Sequence, residues 1–132
     1  MIRKAKIKDI EAICSLLEEG VSSGKVLKRA MSELRRVITN FFVYEEDNKV
    51  IGCCSLEIYN QKLAEIRSVV VTAEYRNKGI GSSLVKRCLD EAKSKNVYRV
   101  LSVTDKSNLF ERFDFKSEID EKQAMFIHLK DL

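Results

Sequence analysis

The residues whose types and spacing best fit a chemical task form a glycine-containing stretch, YRNKGIG at residues 75–81. Two of the five glycines, Gly79 and Gly81, stand here with one residue between them, after an apolar run and before a helical pattern. A helix that begins here offers free N–H groups and the positive end of its dipole to an anion, and glycine lets that anion approach the backbone. The stretch therefore predicts a phosphate or pyrophosphate site made of Arg76, Asn77, Lys78, Gly79, Ile80, Gly81 and Ser82.

Two common phosphate-binding loops do not match this stretch. The P-loop pattern GxxxxGK followed by Ser or Thr is absent, and the dinucleotide fingerprint GxGxxG fails because Leu84 stands at its last glycine position. The pattern present is Arg-x-x-Gly-x-Gly, which is short, and a tight strand-to-helix packing turn would use the same residues. The elements around the stretch have to decide between the two interpretations.

Composition limits the class of protein. A chain of 132 residues with 45% apolar content predicts one domain, residues 1–132, with its own core. The net charge of +4 suits an anionic ligand but is too small and too dispersed to predict nucleic-acid binding. No apolar run approaches the roughly 18 residues of a membrane span, and the N-terminal MIRKAKIKD is too charged for a signal peptide. We expect a cytoplasmic protein without a membrane partner.

Metal binding is not expected either. The four cysteines form no CxxC pair, and His128 is the one histidine in the sequence. Zinc sites in proteins use clustered cysteine and histidine ligands, so this sequence predicts no metal site.

Hydrophobic periodicity gives the order of the elements that position the glycine stretch. The pattern predicts strands at residues 2–7, 41–44, 50–59, 63–72, 98–103, 115–117 and 124–129, and helices at residues 10–20, 26–39, 79–95 and 108–113. Hairpins occupy the middle of the chain and βαβ crossovers its second half. This order predicts an α/β fold with a mixed, mostly antiparallel sheet of six or seven strands and about four helices.

In that setting, VVVTAEYRNKGIGSSLV resembles the acetyl-CoA-binding motif of the GNAT acetyltransferases, in which Q/R-x-x-G-x-G/A follows the fourth strand. The segment LFERFDF stands where the family usually has a segment similar to YEKLGF. The resemblance implies the GNAT fold with a centrally splayed sheet, and acetyl-CoA as cosubstrate. It also implies that residues 76–82 hold the pyrophosphate, while the backbone of Val69, Val70 and Val71 contacts the pantetheine arm and the thioester lies in the splay.

Within that family, VLKRAMSEL, VIGCCSLEIYNQKLAEI, EYRNKGIGSSL and TDKSNLFERFDF look most similar to the acetyltransferase domain of N-acetylglutamate synthases. This resemblance implies direct acetyl transfer to a small acidic amino acid, with L-glutamate as the first candidate, and a place in arginine biosynthesis. Both carboxylates of glutamate require cations, preferably forked ones. The candidates are Lys28, Arg29, Arg67 and Lys106, and the alternative for each is a solvated surface cation.

The resemblance also implies catalytic roles. Glu65 stands where many family members have a carboxylate base on the fourth strand, and a backbone N–H near Val70 would polarise the thioester carbonyl. Many members protonate the leaving thiolate with a tyrosine, but Phe110 occupies that position and cannot donate a proton. Either the thiolate leaves unprotonated or another hydroxyl serves, with Ser107 as the nearest candidate.

Two other functions remain open from the sequence. One is a GNAT enzyme for a different amine, either a small molecule or a protein N-terminus. The other is a non-catalytic acetyl-CoA-binding module, which the missing tyrosine favours. Association into a homodimer is also left open, because no interface stripe is evident in the sequence.

Overall fold

The computed structural model describes residues 1–22 and 31–130, so the predicted Lys28 and Arg29 lie outside the described residues. The elements in chain order are β1 (Ile2–Lys4), α1 (Ile10–Ser22), α2 (Met31–Val37), β2 (Phe41–Glu46), β3 (Lys49–Asn60), β4 (Leu63–Val71), α3 (Ile80–Ser94), β5 (Arg99–Leu101), α4 (Ser107–Glu111), β6 (Glu118–Ile119) and β7 (Lys122–Gln123). In the described part of the chain, no helix has the length and apolar character needed to cross a membrane.

The main sheet has five strands in the order β1-β2-β3-β4-β5. Neighbouring strands are antiparallel except for β4 and β5, which are parallel. A turn at Asp47 and Asn48, with φ of 50° and 62°, joins β2 to β3 in the backbone conformation that suits the twist of a two-residue hairpin. The α/β prediction with about four helices and a mixed, mostly antiparallel sheet is confirmed.

The prediction for the last two strands is wrong. Strands were expected at residues 115–117 and 124–129 as part of the main sheet, but β6 and β7 form a separate two-stranded hairpin. Asp120 and Glu121 adopt φ of 53° and 60°, which closes a tight turn and fixes the pairing to the residues directly beside it.

The sheet separates two cores. One face packs against α3 and α4 and buries Ile51, Cys54 and Leu84, while the other packs against α1 and α2 and buries Ile13 and Cys53. The two adjacent cysteines, Cys53 and Cys54, are therefore both fully buried, on opposite faces of the sheet.

Helix α3 is tied to β1 by a charged cluster around Glu91. Its carboxylate accepts hydrogen bonds from Lys4 Nζ at 3.1 Å and Arg87 Nη1 at 3.3 Å, and it lies 3.3 Å from Lys95 Nζ. These contacts, with that of Lys4 the largest, lower the pKa of Glu91 from 4.5 to about 2.

We predict that Glu91→Gln destabilises the fold by about 1 kcal/mol at neutral pH, the upper range for an exposed ion-pair contact. Because the pKa of Glu91 is lower in the folded state, its contribution is complete above about pH 4.5 and is lost as the pH falls toward 2. Urea unfolding of both proteins at several pH values measures this difference. Asp90→Asn, which removes a single exposed pair with Lys86, is the control, and a loss of stability independent of pH contradicts the assignment.

Candidate active site

Strands β4 and β5 part in the middle of the sheet. Their pairing runs from Leu63 opposite Arg99 to Glu65 opposite Leu101, but β4 continues to Val71 without a β5 partner. The expected central splay is therefore present. It leaves a gap beside the second half of β4, directly before the glycine stretch.

A β-bulge in β4 determines what faces this gap. Val70 pairs with Cys53 and Arg67 with Ser55, so β4 has one residue more than β3 between these pairs. The extra residue is Ser68, whose φ is 58°. A bulge reverses the alternation of side chains, and Val69 accordingly joins the α3 core whereas Val70 joins the α1 core.

Side chains donate hydrogen bonds to the carbonyls that β5 leaves unpaired. Ser102 Oγ donates to the Ile66 carbonyl at 2.9 Å. Lys106 Nζ donates to the Val69 carbonyl at 2.6 Å, and Arg76 Nε to the Val71 carbonyl at 2.9 Å. Buried or half-buried carbonyls need such partners, so these three bonds stabilise the parted conformation.

The bulge also determines which backbone N–H near Val70 faces the gap. The Ser68 carbonyl lies on the β3 side, 3.5 Å from Cys53 Sγ, whereas the Val69 carbonyl faces the gap. In a planar trans peptide the C=O and the following N–H point in opposite directions. The Val69 N–H therefore faces the gap and the Val70 N–H faces β3, so Val69 is the residue that presents both backbone groups to a ligand there.

The glycine stretch forms an open helix N-terminus. Gly79 precedes α3 with φ of 81°, and no side chain caps the helix there. A Cβ on Gly79 would meet no atom within 4 Å, so its backbone conformation rather than lack of space requires glycine. Asn77 is also left-handed, with φ of 64°. The first N–H groups of α3, aided by the helix dipole, can hold an anion.

A cavity of about 230 Å³ joins this helix terminus to the gap. It brings together the predicted residues Val69, Val70, Val71, Arg76, Asn77, Gly79, Ile80, Gly81, Ser82 and Lys106. Of the predicted residues that the structure describes, four do not line it: Lys78, Glu65, Arg67 and Ser107. The ammonium of Lys78 lies over the Tyr75 ring, 5.2 Å from its centroid, and Ser107 is exposed outside the cavity.

Arg76 does more than line the cavity. Besides the bond from its Nε to Val71, its Nη2 lies 3.3 Å from Glu19 Oε1 on α1. Glu19 also accepts hydrogen bonds from Thr72 Oγ1 at 3.2 Å and from the Ala73 N–H at 3.0 Å. Arg76 and Glu19 thus fix the turn that leads into the glycine stretch, a structural role that the sequence did not indicate for either residue.

Arg112 is a cavity residue that the sequence reasoning missed. It follows α4, lines the cavity, and its Nη1 lies 3.4 Å from Ser82 Oγ in the first turn of α3. A signal for it exists in LFERFDF, because Arg112 stands three residues after Leu109 and shares its side of the helix. Arg112 adds a positive charge beside the helix terminus.

A charged cluster lies on the α1 side of the sheet, at the beginning of β4. Glu57 and Glu65 are directly opposite each other in the β3–β4 register. Arg67 Nη1 donates to Glu57 at 3.0 Å, and the Tyr59 hydroxyl donates to Glu65 Oε1 at 2.6 Å. Glu65 and Arg67, two residues apart on β4, share this face. Each carboxylate has a hydrogen-bond donor, which offsets the repulsion between like charges across the strands.

Phe110 and the cysteines offer no acid or nucleophile to the cavity. Phe110 is 3% exposed and packs edge-on against Phe115, with ring centroids 5.1 Å apart. Cys54 Sγ lies 3.1 Å from Cys88 Sγ, and burial raises the pKa of the Cys54 thiol. Since the thiolate is the nucleophilic form, Cys54 is a core residue. Among the residues that the structure describes, no cluster of three or more histidine, cysteine or acidic side chains could hold a metal.

The Tyr59–Glu65 bond makes a direct prediction. The hydrogen bond to Glu65, the largest cause, raises the pKa of Tyr59 from 10 to about 12, because the neutral phenol is the donor. In Glu65→Gln the pKa should fall back toward 10, measured by NMR titration of labelled tyrosine rings. Glu46→Gln, an exposed change at the end of β2, should leave it near 12, and an unchanged pKa in Glu65→Gln would mean that the bond is not formed in solution.

Comparison with known proteins agrees with this geometry. Residues 10–115 match the family model described as Acetyltransferase (GNAT) family. An uncharacterized N-acetyltransferase, CT2212 of Chlorobaculum tepidum, is 38% identical over 121 residues, which cover 92% of this chain and 77% of that protein. The amino-acid acetyltransferase of Proteus mirabilis is 31% identical over 132 residues, covering 95% of this chain but 30% of that longer protein.

Among solved structures, Rv2747 from Mycobacterium tuberculosis, in complex with CoA and NLQ, superposes with a TM-score of 0.84 at 29% identity. The match covers 90% of this chain and 73% of that chain. The family match spans most of the chain, and the parted strands and open helix terminus lie within it. This protein belongs to the GNAT family of acetyltransferases.

Proposed function

We propose that this protein binds acetyl-CoA along β4 and transfers the acetyl group directly to the amino group of a small acidic amino acid, with L-glutamate as the first candidate. The observation that carries the proposal is the gap between β4 and β5, which opens onto the uncapped N-terminus of α3. Relatives named amino-acid acetyltransferases support an amino acid as acceptor, and glutamate in particular rests on the sequence segments similar to N-acetylglutamate synthases.

In this proposal the diphosphate of the cofactor lies on the N–H groups of Ile80, Gly81 and Ser82. Arg112 beside Ser82 provides positive charge, and Arg76 and Asn77 shape the turn. The pantetheine arm runs from there along Val69–Val71, where amide groups of the ligand can bond to backbone groups in the gap. The thioester, at the far end of the arm, then reaches Val69, whose N–H is placed to polarise the thioester carbonyl and to stabilise its oxyanion.

The acceptor is proposed to lie on the α1 side of the sheet. Glu65, oriented by Tyr59, takes the proton from the attacking amine, directly or through water. Arg67 holds an acceptor carboxylate with its guanidinium; its side chain is 36% exposed and is bonded to Glu57. Lys28 and Arg29 stay proposed contacts for the second carboxylate. Direct transfer is favoured because Cys53 and Cys54 are both fully buried.

Gly81 provides the test of cofactor placement. A Cβ at this position would lie 3.7 Å from Leu109 Cδ2, an ordinary contact, so Gly81→Ala should fold and bind normally. Gly81→Val places two more methyl groups than alanine at the proposed diphosphate position. It should raise the dissociation constant of acetyl-CoA about tenfold or more, a loss of roughly 1.4 kcal/mol in binding free energy. Isothermal calorimetry measures the constants, and equal affinities for both variants would refute the placement of the diphosphate.

The acceptor is tested by thiol release from acetyl-CoA with a panel of amino acids and other amines. We expect release with glutamate, and in Arg67→Ala a rise of about tenfold or more in the KM for glutamate, because a charge-assisted bond to its carboxylate is lost. The affinity for acetyl-CoA should not change, and Lys93→Ala, an exposed cation on α3, is the matched control.

The same assay separates the alternatives. If thiol is released with other amines but not with glutamate, the protein is an acetyltransferase with a different acceptor. Binding of acetyl-CoA without release for any amine favours the non-catalytic module, the function to which the buried Phe110 points.

A further inference from the structure

Lys106 occupies a position in the gap that its sequence context did not predict. It precedes α4, its side chain is half-buried, and it lines the cavity together with Val69–Val71. Its ammonium donates to the Val69 carbonyl at 2.6 Å. Val69 is also the residue whose N–H faces the gap, so the cation lies beside the point where the thioester is proposed to bind, rather than with Arg67 on the acceptor face.

A proton donor at this point assists the proposed reaction. Acetyl transfer converts the thioester sulfur into a thiolate, and protonation makes it a better leaving group. Phe110 is buried and carries no acidic hydrogen, and Ser107 is exposed outside the cavity. Phe110 therefore has no proton to give, and Ser107 does not line the cavity.

The other polar side chains that line the cavity belong to the segments around the proposed diphosphate position. Tyr75, Arg76 and Asn77 precede α3, Ser82 is in its first turn, and Arg112 follows α4. Arg76 contacts β4 as well, but it is bonded to Val71 and Glu19, and a guanidinium does not give up its proton. Arg112 lies beside Ser82 in the first turn of α3. Among the described residues that line the cavity, Lys106 is the cation bonded to Val69 at the thioester end.

We propose that Lys106 protonates the sulfur that leaves from acetyl-CoA, a catalytic role in place of the acceptor contact expected from the sequence. This inference rests on the proposed function. As the amine nitrogen bonds to the carbonyl carbon, the carbon–sulfur bond breaks and its electron pair goes to sulfur. A proton passes from Lys106 Nζ to sulfur and gives free CoA thiol. The proton lost by the amine leaves through Glu65 or solvent, and solvent returns one to Lys106.

The first experiment needs no acceptor. If the ammonium lies beside the sulfur, it stabilises the thiolate of bound CoA and lowers the pKa of that thiol by about one unit or more. The thiol of CoA bound to the wild type and to Lys106→Met is titrated by thiolate ultraviolet absorbance. We expect the thiol pKa of bound CoA to be lowered in the wild type but not in Lys106→Met. Equal values overturn the proposal, whichever amine the enzyme acetylates.

The second experiment measures turnover. Lys106→Met should lower kcat with acetyl-CoA about 100-fold, the lower range for lost general-acid catalysis, and leave the KM of the acceptor unchanged. With the selenoester analogue of acetyl-CoA the defect should shrink to within about tenfold, because a selenolate leaves without a proton. A raised acceptor KM, with an equal defect for both donors, would instead return Lys106 to the acceptor site and overturn the proposal.

Lys106→Arg keeps the charge and a donor to Val69 but releases no proton, so the kcat defect should persist. Full activity of this variant overturns proton donation in favour of charge alone. Thermal unfolding and CoA affinity identify any variant that is merely misfolded, and Lys93→Met is the matched surface control. If the wild type binds CoA with a lowered thiol pKa but acetylates no amine, the acceptor part of the proposed function fails while the placement of Lys106 stands.

Discussion

The parting of β4 from β5 is the constraint on which the rest of the site depends. A strand that loses its neighbour exposes N–H and C=O groups, and these require partners when they are shielded from water. Side chains from three segments donate to the carbonyls on the open edge: Ser102 to Ile66, Lys106 to Val69 and Arg76 to Val71. The gap is thus held open by side-chain bonds, and the edge can receive a ligand that carries its own amides.

The bulge at Ser68 decides which groups the gap contains. Without the extra residue, alternation would turn Val69 toward α1 and Val70 toward α3. With it, Val69 faces α3 and directs its N–H and C=O together into the gap. Cys53 and Ser55 on β3 lie against the bulged segment through the Ser68 and Arg67 carbonyls. Two small polar side chains in the neighbouring strand therefore help to fix the orientation of the backbone at the site.

Short sequence patterns predicted the structural features that depend only on neighbouring residues. The helical period placed a helix at residues 79–95, and α3 is Ile80–Ser94. Asn96 and Asp114, residue types that tolerate a left-handed turn, have φ of 57° and 67°. The position of the glycine stretch could be predicted because glycines at the start of a helix form a signal within a few neighbouring residues. Family resemblance supplied the splay, which no periodicity could indicate.

The remaining features depend on contacts between distant segments. LAEIRSVVV reads as one uninterrupted strand, and nothing in its alternation marks the extra residue. The sequence could therefore place the gap-facing N–H near Val70 but could not identify it as that of Val69. Arg76 was expected to bind phosphate, yet its partner Glu19 is 57 positions away. Lys106 was grouped with Arg67 by charge, although the fold places the two in different surroundings. Charge and residue type are visible in a sequence, but the partner that determines a role is not.

Negative side chains lie where the proposed reaction removes a proton, and positive side chains lie where it creates negative charge. Glu57 and Glu65 lie on the α1 face with Arg67 between them and the bulge, whereas Arg76, Lys106 and Arg112 line the cavity. An amine that approaches the carboxylates as a cation has to lose a proton there, while the sulfur in the gap gains negative charge. Fixed charges already oriented along that path need no rearrangement during the step, which is how preorganised electrostatics lowers a barrier. The bulge, by turning Val69 into the gap and leaving Glu65 on the other face, keeps the two ends of this path apart.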